Sequence, residues 1–176
     1  RLVDAWDPSV EMDLHVTDGA RFRHDVSITG EPVHSGDEAL RATGREVRDG
    51  LVSRLKAQGS LPLAFYPSFV EYDDPASGFA DGVAPPRFSN GYFQLRNRVG
   101  ILVETHSWKD YPTRVRITRN AIVDLVEMAA GDGAGWLAAE QAADRRSSQL
   151  AGKPVALDFK ATDKARTIDF LGYAWT

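Results

Sequence analysis

The chain has 176 residues, of which 43% are hydrophobic and 26% charged, so its length and composition fit one globular domain and exclude a disordered chain. It carries 21 basic and 25 acidic residues for a net charge of −4, without long blocks of either sign, so no nucleic-acid partner is expected. The lack of cysteine excludes disulfides, thiolate metal sites and a cysteine nucleophile, and no apolar run approaches the roughly 20 residues of a membrane span.

Two strands are predicted near the N-terminus. Residues 10–17 alternate between an apolar face and a polar face that carries Asp13 and His15. The apolar face consists of Val10, Met12, Leu14 and Val16. This pattern places His15 on a polar face near the end of its strand. A second strand is predicted over residues 24–29, with Val26 and Ile28 facing inward.

The middle of the chain predicts one helix and a long loop. Residues 37–57 form an amphipathic pattern whose apolar stripe is Leu40, Val47, Leu51 and Leu55. Residues 63–71 are apolar and aromatic but contain Pro67, which indicates an irregular or edge strand. Residues 73–86, rich in Gly, Pro, Asp and Ala, predict a long loop, and such loops in compact domains are often functional.

The strongest strand signal is at residues 99–103, which are almost continuously apolar. They predict a central strand that is covered on both faces. Glu104 follows at the carboxyl end of this strand, where the sites of open α/β sheets gather. A partly buried carboxyl there would have a raised pKa unless a positive group lies near it, which suits a general base. The alternative is a carboxylate that caps the following helix.

The last third predicts two helices and a hairpin. The first helix begins at Pro112 and ends near Gly131, and its predicted buried side consists of Val115, Thr118, Ile122, Leu125, Val126 and Ala129. The second runs from about Gly135 to Leu150. Residues 155–172 alternate around a turn and predict a C-terminal β-hairpin. The whole chain, residues 1–176, is therefore predicted to be a single α/β domain.

The four histidines do not form a local metal site. No H-E-x-x-H, H-x-x-E or G-x-S-x-G motif is present, and no phosphate-binding glycine loop occurs. A nonlocal site would form if His15 and Glu104 met at one edge of the sheet. A surface or hydrogen-bonded structural role is the alternative for each histidine, His24, His34 and His106 included.

Three blocks of sequence resemble a known family. They are MDLHVTDG at 12–19, RFSNGY at 87–92 with LRNR at 95–98, and ILVETH at 101–106 with KDY at 109–111 and Arg114-Val115. In content and order they resemble the C-terminal half of a zinc carboxypeptidase (metallocarboxypeptidase) domain of the bacterial exported type. The resemblance covers roughly residues 10–126 and implies a mixed, twisted sheet flanked by helices, incomplete at its N-terminus. It also implies a secreted or periplasmic protein.

The resemblance also implies a zinc site with assigned roles. His15 matches one zinc ligand, and the H-x-x-E segment that supplies the other two would lie before Arg1. Glu104 matches the catalytic glutamate, the general base that takes a proton from metal-activated water and passes it to the leaving amine. Asp13 and Asp18 flank His15 and are candidates to orient its imidazole.

The substrate-binding residues are assigned less directly. Tyr92 resembles the family's substrate-contacting tyrosine, although Phe88 lies close enough in the same block to hold that place. A terminal carboxylate requires a guanidinium, and the family's main arginine would lie before Arg1. Arg87, with Arg96 and Arg98, is a candidate by proximity, and structural ion pairs are the alternative for all three.

The predicted function is therefore that of a hydrolase. The chain is expected to be the C-terminal part of a zinc-dependent metallopeptidase that cleaves a peptide or amide bond near a free carboxyl terminus. Two alternatives are a non-catalytic peptide-binding domain on the same scaffold and an amide deacylase acting on N-acylated amino acids. The expected partners are a peptide or acylated amino-acid substrate and the N-terminal part of the same protein. Alone, these residues are predicted to bind zinc weakly and to be catalytically inactive, because a catalytic zinc needs three protein ligands.

Overall fold

The computed structural model describes residues 1–17, 19–160 and 162–174. Its helices and strands in chain order are α1 Leu2–Trp6, β1 Val10–Thr17, β2 Val26–Glu31, α2 Leu40–Ala57, β3 Pro62–Leu63, β4 Ser68–Phe69, β5 Phe79–Ala80, α3 Ser89–Leu95, β6 Val99–His106 and α4 Tyr111–Ser147. A single 3-10 turn, Pro75–Ser77, precedes β5. None of the described helices is long and apolar enough to cross a membrane.

The main sheet has four strands in the order β1-β6-β2-β3. Strand β6 runs parallel to β1 and antiparallel to β2, while β2 and β3 are parallel. The sheet is therefore mixed and flanked by helices, as predicted. Strands β4 and β5 form a separate antiparallel pair. The prediction that residues 99–103 belong to a central strand is confirmed, since β6 lies between two neighbours.

One face of this sheet is the hydrophobic core. Val99, Ile101 and Val103 of β6 are at most 1% exposed and pack in one cluster with apolar residues of α2 and α4. The predicted inward residues Val26 and Ile28 of β2 belong to the same cluster, and both are 0% exposed. Because successive side chains of a strand point to opposite faces, the other face of β6 carries Leu102, Glu104 and His106.

Only part of the apolar face predicted for β1 is buried. Val10 and Met12 pack against the core, whereas Leu14 and Val16 are 42% and 49% exposed. Strand β1 is at one edge of the four-stranded sheet. The apolar alternation of this strand therefore continues beyond the part of the sheet that the helices cover.

The prediction of two C-terminal helices was wrong. A single helix, α4, continues through Gly131, Gly133 and Gly135. Each glycine costs about 1 kcal/mol relative to alanine in a helix interior. Met128 and Trp136, on either side of this stretch, are both buried in the core cluster. Their packing therefore holds the helix in register across the glycines.

The buried side of α4 also differs from the predicted one. Val115, Ile122 and Val126 are between 42% and 64% exposed, so they face away from the core. The buried positions of this helix are instead Ile117, Ala121, Asp124, Met128, Trp136, Glu140 and Ala143. Two of the predicted positions, Thr118 and Leu125, are half-buried, and Leu125 packs against the core cluster, so the predicted stripe overlaps the observed one in part.

The predicted C-terminal hairpin is also absent from the described part of the tail. Val155, Leu157 and Phe159 are between 47% and 90% exposed, and they cover no sheet. A two-stranded hairpin without a packed face is only marginally stable. The tail instead docks through Phe170, whose ring centroid lies 4.6 Å from that of Phe79.

Helix α2 packs so closely on the loop after β2 that it has no room for a side chain at Gly44. A Cβ atom there would contact the backbone carbonyl of Pro32. We therefore expect Gly44→Ala to lower the free energy of unfolding by about 3 kcal/mol, measured by urea denaturation. Gly50→Ala in the same helix is the control, because its Cβ would meet only the flexible end of Met128. Equal losses of stability in the two variants would contradict this packing.

Candidate functional site

His15 and Glu104 lie side by side near the carboxyl ends of two neighbouring strands. They are register partners in the parallel β1–β6 pair, so their side chains share one face of the sheet. Both line a cavity of about 480 Å³. The sequence-based expectation that these two residues meet at one edge of the sheet thus agrees with the observed register.

The imidazole of His15 contacts the Asp13 carboxylate, which in turn accepts a hydrogen bond from Ser89. Its Nε2 lies 2.8 Å from Oδ1 of Asp13, two residues earlier on the same face of β1. The other carboxylate oxygen of Asp13 accepts a 2.7 Å hydrogen bond from Ser89 Oγ, at the start of α3. With Nε2 directed at a carboxylate, Nδ1 is the nitrogen left to bind a ligand. Asp18, the other candidate for this orienting role, lies outside the described residues.

Glu11 is a second acidic residue, besides Asp13, on the same face of β1. Burial, together with the nearby Asp13 carboxylate, raises the pKa of Glu11 to about 7, and His15 opposes part of this increase. Below that pH Glu11 is therefore mostly neutral.

Glu104 is 8% exposed and occupies the middle of a polar row across the sheet. Its register partner on one side is His15, and on the other side it is Ser27 of β2. His15 and Glu104 bring an imidazole and a carboxylate to one end of the cavity, whereas the Ser27 hydroxyl group contacts His106. Such a set can bind and orient a polar group and exchange a proton with it.

The opposite end of the cavity contains a second set of charged residues. Glu31 accepts hydrogen bonds from the backbone N–H groups of Val33, His34 and Ser35, and its Oε1 lies 3.1 Å from His34 Nδ1. The Nε2 atom of His34 lies 3.5 Å from Asp81, in the long loop that was predicted to be functional. The hydrogen bond to Glu31 raises the pKa of His34. His34 therefore bridges two carboxylates.

Arg48 of α2 also lines the cavity, and the sequence analysis did not single it out. Its side chain is 15% exposed, and Nε lies 2.8 Å from Asp49 Oδ1. Arg48 lies among the charged residues that cover the helix outside its apolar stripe. Nothing local in the sequence distinguishes Arg48 from the other charged residues of that helix, so only the tertiary structure reveals it.

The two candidates for the tyrosine position face different surroundings. The Tyr92 hydroxyl accepts a hydrogen bond of 3.4 Å from Arg96, and Tyr92 is not among the residues that line the cavity. Phe88 does line the cavity, and the Arg87 guanidinium stacks on its ring at 4.2 Å. The aromatic side chain of this block that faces the cavity is therefore a phenylalanine without a hydroxyl group.

The candidate arginines Arg96 and Arg98 make ion pairs elsewhere. Arg96 pairs with Asp4 at 3.0 Å, and Arg98 pairs with Asp7 at 2.8 Å and with Asp144 at 3.1 Å. These contacts connect the α1 region to the start of β6 and to α4. Neither arginine lines the cavity, and their positions fit the structural alternative.

The two remaining histidines are buried and hydrogen-bonded. His106 lies between the hydroxyl groups of Thr17 and Ser27, and burial lowers the pKa of its imidazole to about 4. His24 Nδ1 donates to the carbonyl of Leu61, and its Nε2 accepts from the N–H of Leu171. These contacts fit the structural alternative for both residues.

No group of three His, Cys, Asp or Glu side chains that could hold a metal ion occurs within the described ranges. The cavity end at Glu104 thus offers one oriented imidazole rather than a complete set of ligands. Comparisons of the chain with protein-family models, with curated proteins and with solved structures find no match. The geometry of the cavity and the sequence blocks that border it are therefore the grounds for assigning a function to this chain.

Proposed function

We propose that this domain is the C-terminal part of a zinc-dependent, metallocarboxypeptidase-like hydrolase. It would cleave a peptide or amide bond near a free carboxyl terminus. The observation that carries the proposal is the register pairing of His15 with Glu104 on the wall of one cavity. The sequence blocks that resemble the zinc carboxypeptidases contain both residues, and they are far apart in the chain.

The donor set fits part of a zinc site. His15 presents Nδ1 while its Nε2 contacts the Asp13 carboxylate, and metal-binding histidines commonly place their other ring nitrogen against a carboxylate in this way. A catalytic zinc needs three protein ligands, so two more would come from sequence outside these 176 residues, as the resemblance implies. When bound, zinc would supply Lewis-acid activation of the scissile carbonyl and of water.

Within this chain, Glu104 is the group placed to move the proton. Its carboxylate would accept a proton from the attacking water and return it to the amine nitrogen of the leaving group, so that the carboxylate is regenerated. Asp13 and Ser89 would keep the His15 ring in one orientation throughout. Leu102 and Phe88, which also line the cavity, would limit the access of bulk water.

The alternative is a domain that binds peptides on the same scaffold without cleaving them. The observation that favours it is that the cavity is lined by His15, His34 and Arg48, whose polar groups can bind a peptide without a metal ion. In that case the cavity would recognise a carboxyl-terminal peptide, and neither zinc nor Glu104 would matter for binding.

The test uses the protein encoded by the full open reading frame, purified with zinc and assayed on N-blocked dipeptides. We expect release of the C-terminal amino acid, loss of release on chelation and recovery with added zinc. His15→Ala should lower zinc affinity, whereas the control His34→Ala should leave it unchanged. The 176-residue chain alone should bind zinc weakly without turnover, and tight binding with turnover would contradict that expectation.

The same assay separates the alternatives. Cleavage of N-acylated amino acids without cleavage of dipeptides would identify a deacylase. Peptide binding without cleavage by zinc-saturated protein would favour the non-catalytic domain and overturn the proposed hydrolysis.

A further inference from the structure

The cavity is long and has charged residues at both ends. Glu104 is at one end, whereas Glu31 is the register partner of Gly100, four positions earlier on β6. At about 3.3 Å per residue, the two ends are roughly 13 Å apart along the strand. A substrate that reacts at Glu104 therefore extends toward a second set of polar groups.

The acidic groups at this second end already have partners. Glu31 is buried, and three backbone N–H groups and the His34 ring surround its carboxylate. Asp81 faces His34 Nε2 at 3.5 Å and accepts a hydrogen bond from the N–H of Gly82. These contacts leave little capacity for a cationic ligand.

Arg48 is differently placed. Its charge acts on the neighbouring His34, so it belongs to the same end of the cavity. Only its Nε donates a hydrogen bond, to Asp49, whose side chain is 58% exposed, and exposed ion pairs contribute little. Within the described residues the two terminal nitrogens donate none, although a guanidinium carries five N–H donors.

The backbone that carries Arg48 is firmly placed. Val47 and Leu51, on the same helix, are both 0% exposed and belong to the core cluster. The guanidinium is therefore presented to the cavity from a rigid element, which favours geometrically specific binding. A planar guanidinium with two unused nitrogens matches a carboxylate in a bidentate arrangement.

We propose that Arg48 selects substrates whose leaving residue carries an acidic side chain, by binding that side-chain carboxylate at the far end of the cavity. This inference depends on the proposed function for the position of the scissile bond at Glu104. The α-carboxylate of the leaving residue lies only a few bonds from the scissile carbonyl, which is too near Glu104 to reach this end. The side-chain carboxylate of a glutamate lies two bonds further from the scissile carbonyl than the α-carboxylate, so it reaches closer to Arg48.

The experiment measures binding by the metal-free full-length protein, so that it does not depend on catalysis. Calorimetry would compare N-acetyl-L-glutamate, N-acetyl-L-glutamine and N-acetyl-L-lysine, which share the same α-carboxylate. We expect the glutamate derivative to bind roughly 10-fold more tightly than the glutamine derivative, as one charge-assisted pair provides. Arg48→Gln should abolish this preference. The control Arg54→Gln, on the same helix but outside the cavity, should retain it.

The possible outcomes test the role of Arg48 separately from the proposed hydrolysis. Equal binding of the glutamate and glutamine derivatives, tighter binding of the lysine derivative, or a preference that persists in Arg48→Gln would overturn the role of Arg48. A preference for glutamate in a protein that hydrolyses nothing would support Arg48 while refuting the proposed hydrolysis. Hydrolysis without any preference would refute the role of Arg48 alone.

Discussion

In the full-length protein, Glu104→Gln is expected to reduce kcat roughly 10²–10⁴-fold, the usual contribution of a positioned general base. Glutamine has nearly the same shape as glutamate, but its amide cannot accept a proton from water. The fold and the binding of substrate should therefore persist while the chemical step is lost. The measurement is steady-state hydrolysis of an N-blocked dipeptide, together with the zinc content of each preparation.

Zinc content and KM distinguish a general base from a metal ligand. Glu104→Gln should retain zinc and a KM close to that of the unchanged protein, because zinc binding is assigned to His15 and not to Glu104. Glu127→Gln is a suitable control, since this exposed residue of α4 pairs with Arg54 and lies outside the cavity. Undiminished turnover in Glu104→Gln would remove Glu104 from the mechanism.

Glu140→Gln is expected to stabilise the protein at alkaline pH. Glu140 is 1% exposed, and burial raises the pKa of its carboxyl from 4.5 to about 7, with Ser9 and Arg98 offsetting only part of this effect. Because the folded-state pKa is the higher one, stability is lost as the pH rises from 4.5 through 7. That interval corresponds to about 3 kcal/mol, which the neutral amide would not lose.

Urea denaturation at two pH values checks this expectation. At pH 8 the variant should unfold with a free energy about 3 kcal/mol higher, and near pH 4.5 the two proteins should be nearly equal. Glu127→Gln, at an exposed position of the same helix, should show no such pH-dependent difference. A less stable Glu140→Gln at pH 8 would mean that the ionised carboxylate is needed there.

The central strand and the pair of residues at its end could be predicted because their signals are local. Residues 99–103 are continuously apolar, and His15 lies near the end of an alternating run. A few neighbouring residues are therefore enough to predict each strand and the polar residue near its end. The carboxyl ends of neighbouring parallel strands meet at one edge. This rule made a meeting of His15 and Glu104 possible, and their match to the zinc carboxypeptidase blocks assigned both residues to one site.

The features that could not be predicted depend on distant contacts. Arg48 resembles every other charged residue of α2 until the loop from β3 to α3 folds over it and forms the cavity wall. The continuity of α4 through its glycines depends on the burial of Trp136 against the core. The tail alternates like a hairpin, but no sheet face is available to bury its apolar residues, so it follows the aromatic cluster at Phe170.

The docking of the C-terminal tail has a practical consequence. Phe170 contacts Phe79, and the next two residues, Ala80 and Asp81, line the cavity. A truncation that removes Phe170 would therefore disturb the wall on which Asp81 stands, although Phe170 lies more than 80 residues away from Asp81 in the sequence.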